Sequence, residues 1–224
     1  MSAYDRFGRL PTAGKLLLIL TAVLLPIGVA LALLGELGMR SANKALAGQA
    51  EDRARIAARS VESLIARNIL ALRIAANSAL ASGPAGACDR MRRSLAIAPG
   101  VTQQFEIEAT DGTPLCEVGE IGEVDGLESL APGAIEVRIM RSVDSLAIRT
   151  GVIGGMATAA IPLSEIQSAA IHSEASPSFF RIEDGTRSLN VIEARAPASK
   201  LTTSERPIGG GRVIARIGIS VSQI

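Results

Sequence analysis

Two cysteines (Cys88 and Cys116), one histidine (His172) and two arginines in strand-like stretches (Arg138 and Arg149) are the first candidates for chemistry in this chain. A cysteine pair becomes a disulfide in an oxidising compartment and remains two buried thiols in a reducing one, so its meaning depends on where the segment resides. His172 has no Ser or Cys at a recognisable nucleophile spacing such as GxSxG, which makes a surface or helix-end histidine a plainer reading than a general base. GVIGG at 151–155 lacks the Lys-Ser/Thr of a phosphate-binding loop and reads as a hairpin turn. Glu106 and Glu108 alternate with apolar residues and are expected to face solvent, where nothing would shift their pKa for acid/base work. With two Cys, one His and no CxxC or HxxxH, the chain lacks the donors of a structural zinc site. The expectation is therefore no catalytic residue, no metal and no cofactor. Arg138 and Arg149 lie on two central strand candidates, on the face opposite Ile139 and Ile148. Their guanidinium forks suit a carboxylate or phosphate ligand, and solvated strand arginines are the competing reading.

Where these residues reside turns on the apolar run Leu16–Leu34, about 19 uncharged residues and close to the ~20 that cross a bilayer as a helix. It has no polar stripe, unlike a buried core helix, and Pro26 and Gly28 are tolerable inside a membrane helix. A signal peptide is the nearer rival, because Arg6, Arg9 and Lys15 form a basic start and Ala45–Ala47 resembles a cleavage site. That site lies about a dozen residues too deep, and the run exceeds the ~7–15 residues of a signal core. The preferred reading is a single uncleaved anchor, with the basic N-terminus in the cytoplasm and everything after Glu36 on the far side, in an oxidising compartment. Both cysteines then lie where a Cys88–Cys116 bridge forms.

The remaining elements follow from periodicity. From Met39 to Ala81 apolar residues recur at helical spacing (Ala57, Val61, Leu64, Ile65, Leu72, Ala76, Leu80), opposite Arg53, Arg55, Arg59, Glu62, Arg67 and Arg73. This predicts one long amphipathic helix that packs on a domain or forms a homodimer seam. SGPAG ends it. A short helix is expected over Cys88–Ala96, then a hairpin from Phe105 through Asp111-Gly112 to Val118 and a surface loop over Gly119–Gly133. Strands follow at Ala134–Arg141, Ser145–Ile153 and Met156–Leu163, giving five, and a short helix opens at Ser164. A second Asp-Gly hairpin at Phe179–Glu193, a linker at Ala196–Gly211 and a last strand at Arg212–Ser220 complete a small second unit. The composition, 48% hydrophobic but 2% aromatic and without Trp, fits Ala- and Leu-rich helices. A formal charge of +1 supplies no field for nucleic acid.

The order of these features resembles the double Cache, PAS-like extracytoplasmic sensor domains of bacterial membrane receptors, most of all the input regions of sensor histidine kinases. The resemblance is carried by ATDGTPLC with the earlier Cys88, the strand-to-helix step TAAIPLSEI and the second hairpin FRIEDGTRSL. It implies an α+β fold: an N-terminal transmembrane helix, a long amphipathic helix, a PAS-like antiparallel five-stranded sheet and a small degenerate second α/β unit. The corresponding boundaries are 1–15 (cytoplasmic), 16–36 (membrane), 37–81 (signalling helix), 82–172 (membrane-distal domain) and 173–224 (membrane-proximal unit). It also implies a bacterial inner membrane with the sensor domain in the periplasm, a small-molecule ligand, and a kinase transmitter beyond residue 224, since no kinase motif lies within the chain. A stand-alone anchored binding or scaffold protein is the rival. An anchored hydrolase would need a nucleophile and base at recognisable spacing.

Overall fold

In the computed structural model, residues 12–81, 83–122, 129–140, 143–171, 177–193 and 201–220 are described. Two units divide the chain, Met1–Gly48 and Gln49–Ile224. Helix α1 is continuous over Thr12–Leu80 and runs through Pro26. Its part in the first unit is apolar and exposed from Leu20 to Met39, and the helix is long and apolar enough to cross a membrane. Its part in the second unit buries the predicted stripe, with Ala57, Val61, Ile65, Leu72 and Ala76 almost wholly enclosed. The stripe is rich in alanine, which lets the helix lie close to what it covers. α1 ends without a basic residue in its last turn; instead Arg90 donates from Nε to the Ala79 carbonyl at 2.9 Å and from Nη1 to the Ala85 carbonyl at 2.8 Å. The first bond satisfies a carbonyl that the helix C-terminus leaves open, and the second ties Arg90 to the turn that follows.

Arg90 belongs to α2 (Ala87–Ala96), whose buried Met91 and Leu95 match the predicted short helix. Five strands then form one antiparallel sheet: β1 (Phe105–Ala109), β2 (Pro114–Val118), β3 (Ile135–Ile139), β4 (Ser145–Val152) and β5 (Gly155–Pro162), in the order β2-β1-β5-β4-β3. The glycine-rich GVIGG is the β4–β5 turn, with Gly154 at φ 91°. α3 (Leu163–Ile171) leaves β5 directly and opens one residue before the expected Ser164.

The second sheet holds β6 (Phe179–Glu183), β7 (Ser188–Ile192), β8 (Leu201–Ile208) and β9 (Val213–Ser220), ordered β7-β6-β9-β8. β8 corrects the expected linker. Its Thr, Ser and Pro content suggests a loop, but all eight residues pair with β9, and Pro207 is accommodated because β8 is an edge strand. The second sheet, with four strands, is thus less reduced than the composition of this segment suggests. One core joins the buried stripe of α1 to one face of both sheets, through Phe105, Ile107, Leu146, Ile148 and Ile161 in the first and Phe180, Ile182, Ala215 and Ile217 in the second.

Polar ties fix this arrangement. Buried Asn68 of α1 donates to the Leu64 carbonyl and accepts from the Thr102 amide, both at 2.9 Å, while the Thr102 hydroxyl donates to the Ala160 carbonyl. Glu62 accepts the amides of Gly209 and Gly210 at the β8–β9 turn.

Candidate ligand-binding face

Register places five residues in one row across the first sheet: Glu117, Glu106, Thr158, Arg149 and Glu136. Side chains alternate between faces along a strand, so this row lies on the face turned away from the core, along with Glu108, Met156 and Gly151 in the next row. Both described ends of the β2–β3 connection lie on that face. At its first described end Ile121 packs against Met140, Ala147 and Ala160. At its other end the Leu130 and Ala131 carbonyls lie 2.5 and 2.2 Å from where a Cβ on Gly151 would stand. Only glycine lets the connection pass so close to β4. The consequence is that every residue of β4 is buried, on both faces.

Arg149 is 0% exposed. Its Nη1 donates to Glu136 Oε2 at 2.6 Å, and Nη2 lies 3.1 Å from Met156 Sδ. Enclosing a guanidinium is costly unless a carboxylate and further hydrogen bonds replace water. The same Glu136 accepts from Arg138 Nε at 2.9 Å through Oε1, so one carboxylate serves both arginines. That hydrogen bond raises the Arg138 pKa further, against a smaller opposing effect of burial.

The two predicted site arginines thus share a face and a partner but not an environment. β3 is a sheet edge, not a central strand, and the Arg138 side chain remains 41% exposed. Glu106 and Glu108 are half-buried and do not stand free in solvent. Burial raises the Glu106 pKa, with neighbouring Glu108 and Glu117 adding to the shift and Arg149 partly offsetting it. His172 lies outside the described residues.

Beside Met156 the face opens into a cavity of about 250 Å³, lined by Glu108, Thr110, Ser129, Leu130, Gly155 and Met156. A small polar molecule fits that volume, with Glu108 as the charged group in its wall. Arg149 stands behind Met156. The Cys88–Cys116 disulfide is formed and ties α2 to β2, three residues before the connection begins at Gly119. Among the described residues no group of three or more His, Cys, Asp and Glu is arranged to hold a metal ion.

Sequence reasoning paired the two cysteines but missed Glu136, the carboxylate that both arginines share. The signal was present: once β3 and β4 pair around their short turn, Glu136 falls opposite Arg149. It also missed Thr158 and the crossing over Gly151. No protein-family model and no curated protein matches the chain, so the geometry of this face is the ground for a functional reading.

Proposed function

We propose that the chain is the small-molecule-sensing input module of a bacterial membrane receptor of the double Cache type, anchored by the apolar part of α1 with its sheets in the periplasm. The observation that carries this reading is Arg149: a fully enclosed arginine beside a cavity, on a sheet face roofed by a loop. A sheet that served only as scaffold would be more stable with apolar residues in that row. Ligand would enter between the roof and β1–β5, meet Glu108 and compete for the hydrogen-bonding capacity of Glu136 and Arg138. To signal, it must bind one arrangement of the roof and α1 more tightly than another, since equal affinity shifts no equilibrium.

A homodimer through α1 belongs to the same proposal. Ile56, Leu70 and Ile74 are 44%, 61% and 60% exposed on the helix surface away from the core, a stripe that suits a second copy. The kinase transmitter implied by the resemblance would be the receptor's output.

The test is a thermal-shift screen of small polar metabolites on the full chain in lipid nanodiscs. A ligand should raise the midpoint in the wild type, and Glu108→Gln should weaken its binding by about tenfold or more. A screen without a hit, or a hit indifferent to Glu108→Gln, refutes the assignment of this face.

A further inference from the structure

The two edges of the second sheet are not alike. β8 carries Arg206 and Pro207, residue types that discourage a further strand, whereas β7 has no proline and no charged residue. The Asp184 amide donates to the Arg187 carbonyl at 3.2 Å and closes the β6–β7 hairpin. By the alternation of an antiparallel ladder, Leu189 then bonds to β6, while the amides and carbonyls of Ser188 and Asn190 point away from it. Among the described residues nothing bonds to those four groups. The register shifts between Phe180 and Arg181, opposite Val191, and the Val191 carbonyl accepts from Gln167 Nε2 of α3 at 2.9 Å. A carboxamide is a peptide group on a side chain, so Gln167 donates where the amide of an added strand would.

Between this edge and α3 runs a groove of about 660 Å³. Leu163, Gln167 and Ile171 line one side, and Ser188, Asn190 and Ile192 the other. An acidic residue stands at each end. Asp144 lies beside the start of α3, where its carbonyl accepts the Leu163 amide at 2.9 Å, and Glu193 follows the end of β7. Both are exposed, and among the described residues neither carboxylate has an ion pair or a hydrogen bond. No lysine or arginine lines the groove among the described residues. From Ser188 to Glu193 a strand spans roughly 17 Å.

We propose that this groove receives an extended segment of a protein partner, basic at both ends, which adds to β7 as a further strand of the second sheet. Its main chain bonds to Ser188 and Asn190 and takes the Val191 carbonyl from Gln167. Asp144 and Glu193 select a lysine or arginine at each end, since a carboxylate favours a charged donor over a neutral one. The site does not rest on the reading of the face that carries Arg149.

The test is fluorescence anisotropy of the full chain in nanodiscs with a labelled seven-residue peptide of alternating threonine and valine, closed by lysine at both ends. Binding is expected with a Kd below about 1 mM. Asp144→Asn and Glu193→Gln together should weaken it about tenfold. Gln167→Ala should tighten it about threefold or more, because the competitor for the Val191 carbonyl is gone. Circular dichroism melts confirm that the variants are folded. N-methylation separates strand pairing from charge attraction: methylating one alternate set of peptide amides should abolish binding, and methylating the other set, which faces away from β7, should be tolerated. Absence of binding at about 1 mM overturns the proposal. So does equal binding of a peptide closed by glutamate, or equal tolerance of both methylation patterns. Binding that appears only after Arg195→Gln and Lys200→Gln also overturns it, because the groove would then belong to the chain's own residues 194–200.

Discussion

In the first sheet, hairpin β1–β2 pairs through β1 with β5, β5 pairs with β4, and β4 with β3. In the second, hairpin β6–β7 pairs through β6 with β9, and β9 with β8. The order β7-β6-β9-β8 is thus β2-β1-β5-β4 with no described counterpart of β3. Both hairpins bury a phenylalanine and an isoleucine two residues apart, Phe105 and Ile107 in one and Phe180 and Ile182 in the other, and both turn at Asp-Gly. The strand that separates the two sheets brings two things with it. It carries Glu136, the partner of Arg149, and the connection that leads to it is the roof.

Each sheet places an arginine opposite glutamates on its outer face. Arg149 faces Glu136 in a closed environment, whereas Arg216 lies 3.3 Å from Glu183 and 3.1 Å from Glu205 with its side chain 48% exposed. Similar residue types therefore carry different energies. A buried pair is strongly felt when one partner is removed, while exposed pairs are worth little because water and salt screen them. The enclosure, more than the residue types, distinguishes the first face from the second.

The largest effect expected is at the closed pair. Glu136→Ala should destabilise by about 3–5 kcal/mol in denaturant unfolding, because it leaves Arg149 enclosed without its carboxylate. Glu205→Ala, the same deletion in the unroofed sheet, should cost about 0–1 kcal/mol; equal losses would break the comparison. Only the first hairpin is tied by a disulfide, closing a loop with a sequence separation of 28. Replacing both cysteines with serine should cost about 3.5 kcal/mol in the chain-entropy account.

The two Asp-Gly turns should differ by less. Asp111 accepts the Thr113 amide, whereas Asp184 accepts the Thr186 and Arg187 amides through Oδ1 and the amide of Ile139 through Oδ2, which ties the second hairpin to β3. Asp184→Ala should cost about 1–3 kcal/mol, and Asp111→Ala less. Burial works to raise the Asp184 pKa, but these donors outweigh it and hold the pKa below the ordinary aspartate value of 3.8. A depressed pKa contributes stability that is complete above 3.8 and is lost as pH falls through the folded value. Asp184→Asn should flatten the acid limb of a stability profile there.

The smallest effect is of opposite sign. The Glu106 pKa is raised above 4.5 chiefly by burial, so its ionised form opposes folding once pH exceeds the folded value, and that cost fades as pH falls toward 4.5. Glu106→Gln should make the protein slightly more stable at neutral pH, as read by the unfolding midpoint; a loss of stability would show that its carboxylate is engaged in a way this row does not provide.

Much of this architecture was legible in the sequence, because period two and period 3.6 are strong signals where one face is apolar. The α1 stripe, the Phe105 hairpin and three further strands follow from them, and the Cys88–Cys116 bridge from a single cysteine pair beyond an apolar anchor. β8 was not legible. Its inward residues Ser204 and Arg206 are polar, so alternation carries no hydrophobic signal, and its pairing with β9 supplies what propensity does not. The environment of the site was hidden for a similar reason. Whether Arg149 meets solvent depends on how Leu130 and Ala131 lie against β4, and Gly151, unremarkable in a glycine-rich turn, is what admits them.

The central claim, that the roofed face is the sensing site, is tested most directly by hydrogen–deuterium exchange on the full chain in nanodiscs, with and without the tightest-binding metabolite from the thermal-shift screen. The account predicts slower exchange in β4 and in residues 129–134, with little change in β8 and β9. Slowing confined to the second sheet, with the roof unchanged, would contradict it.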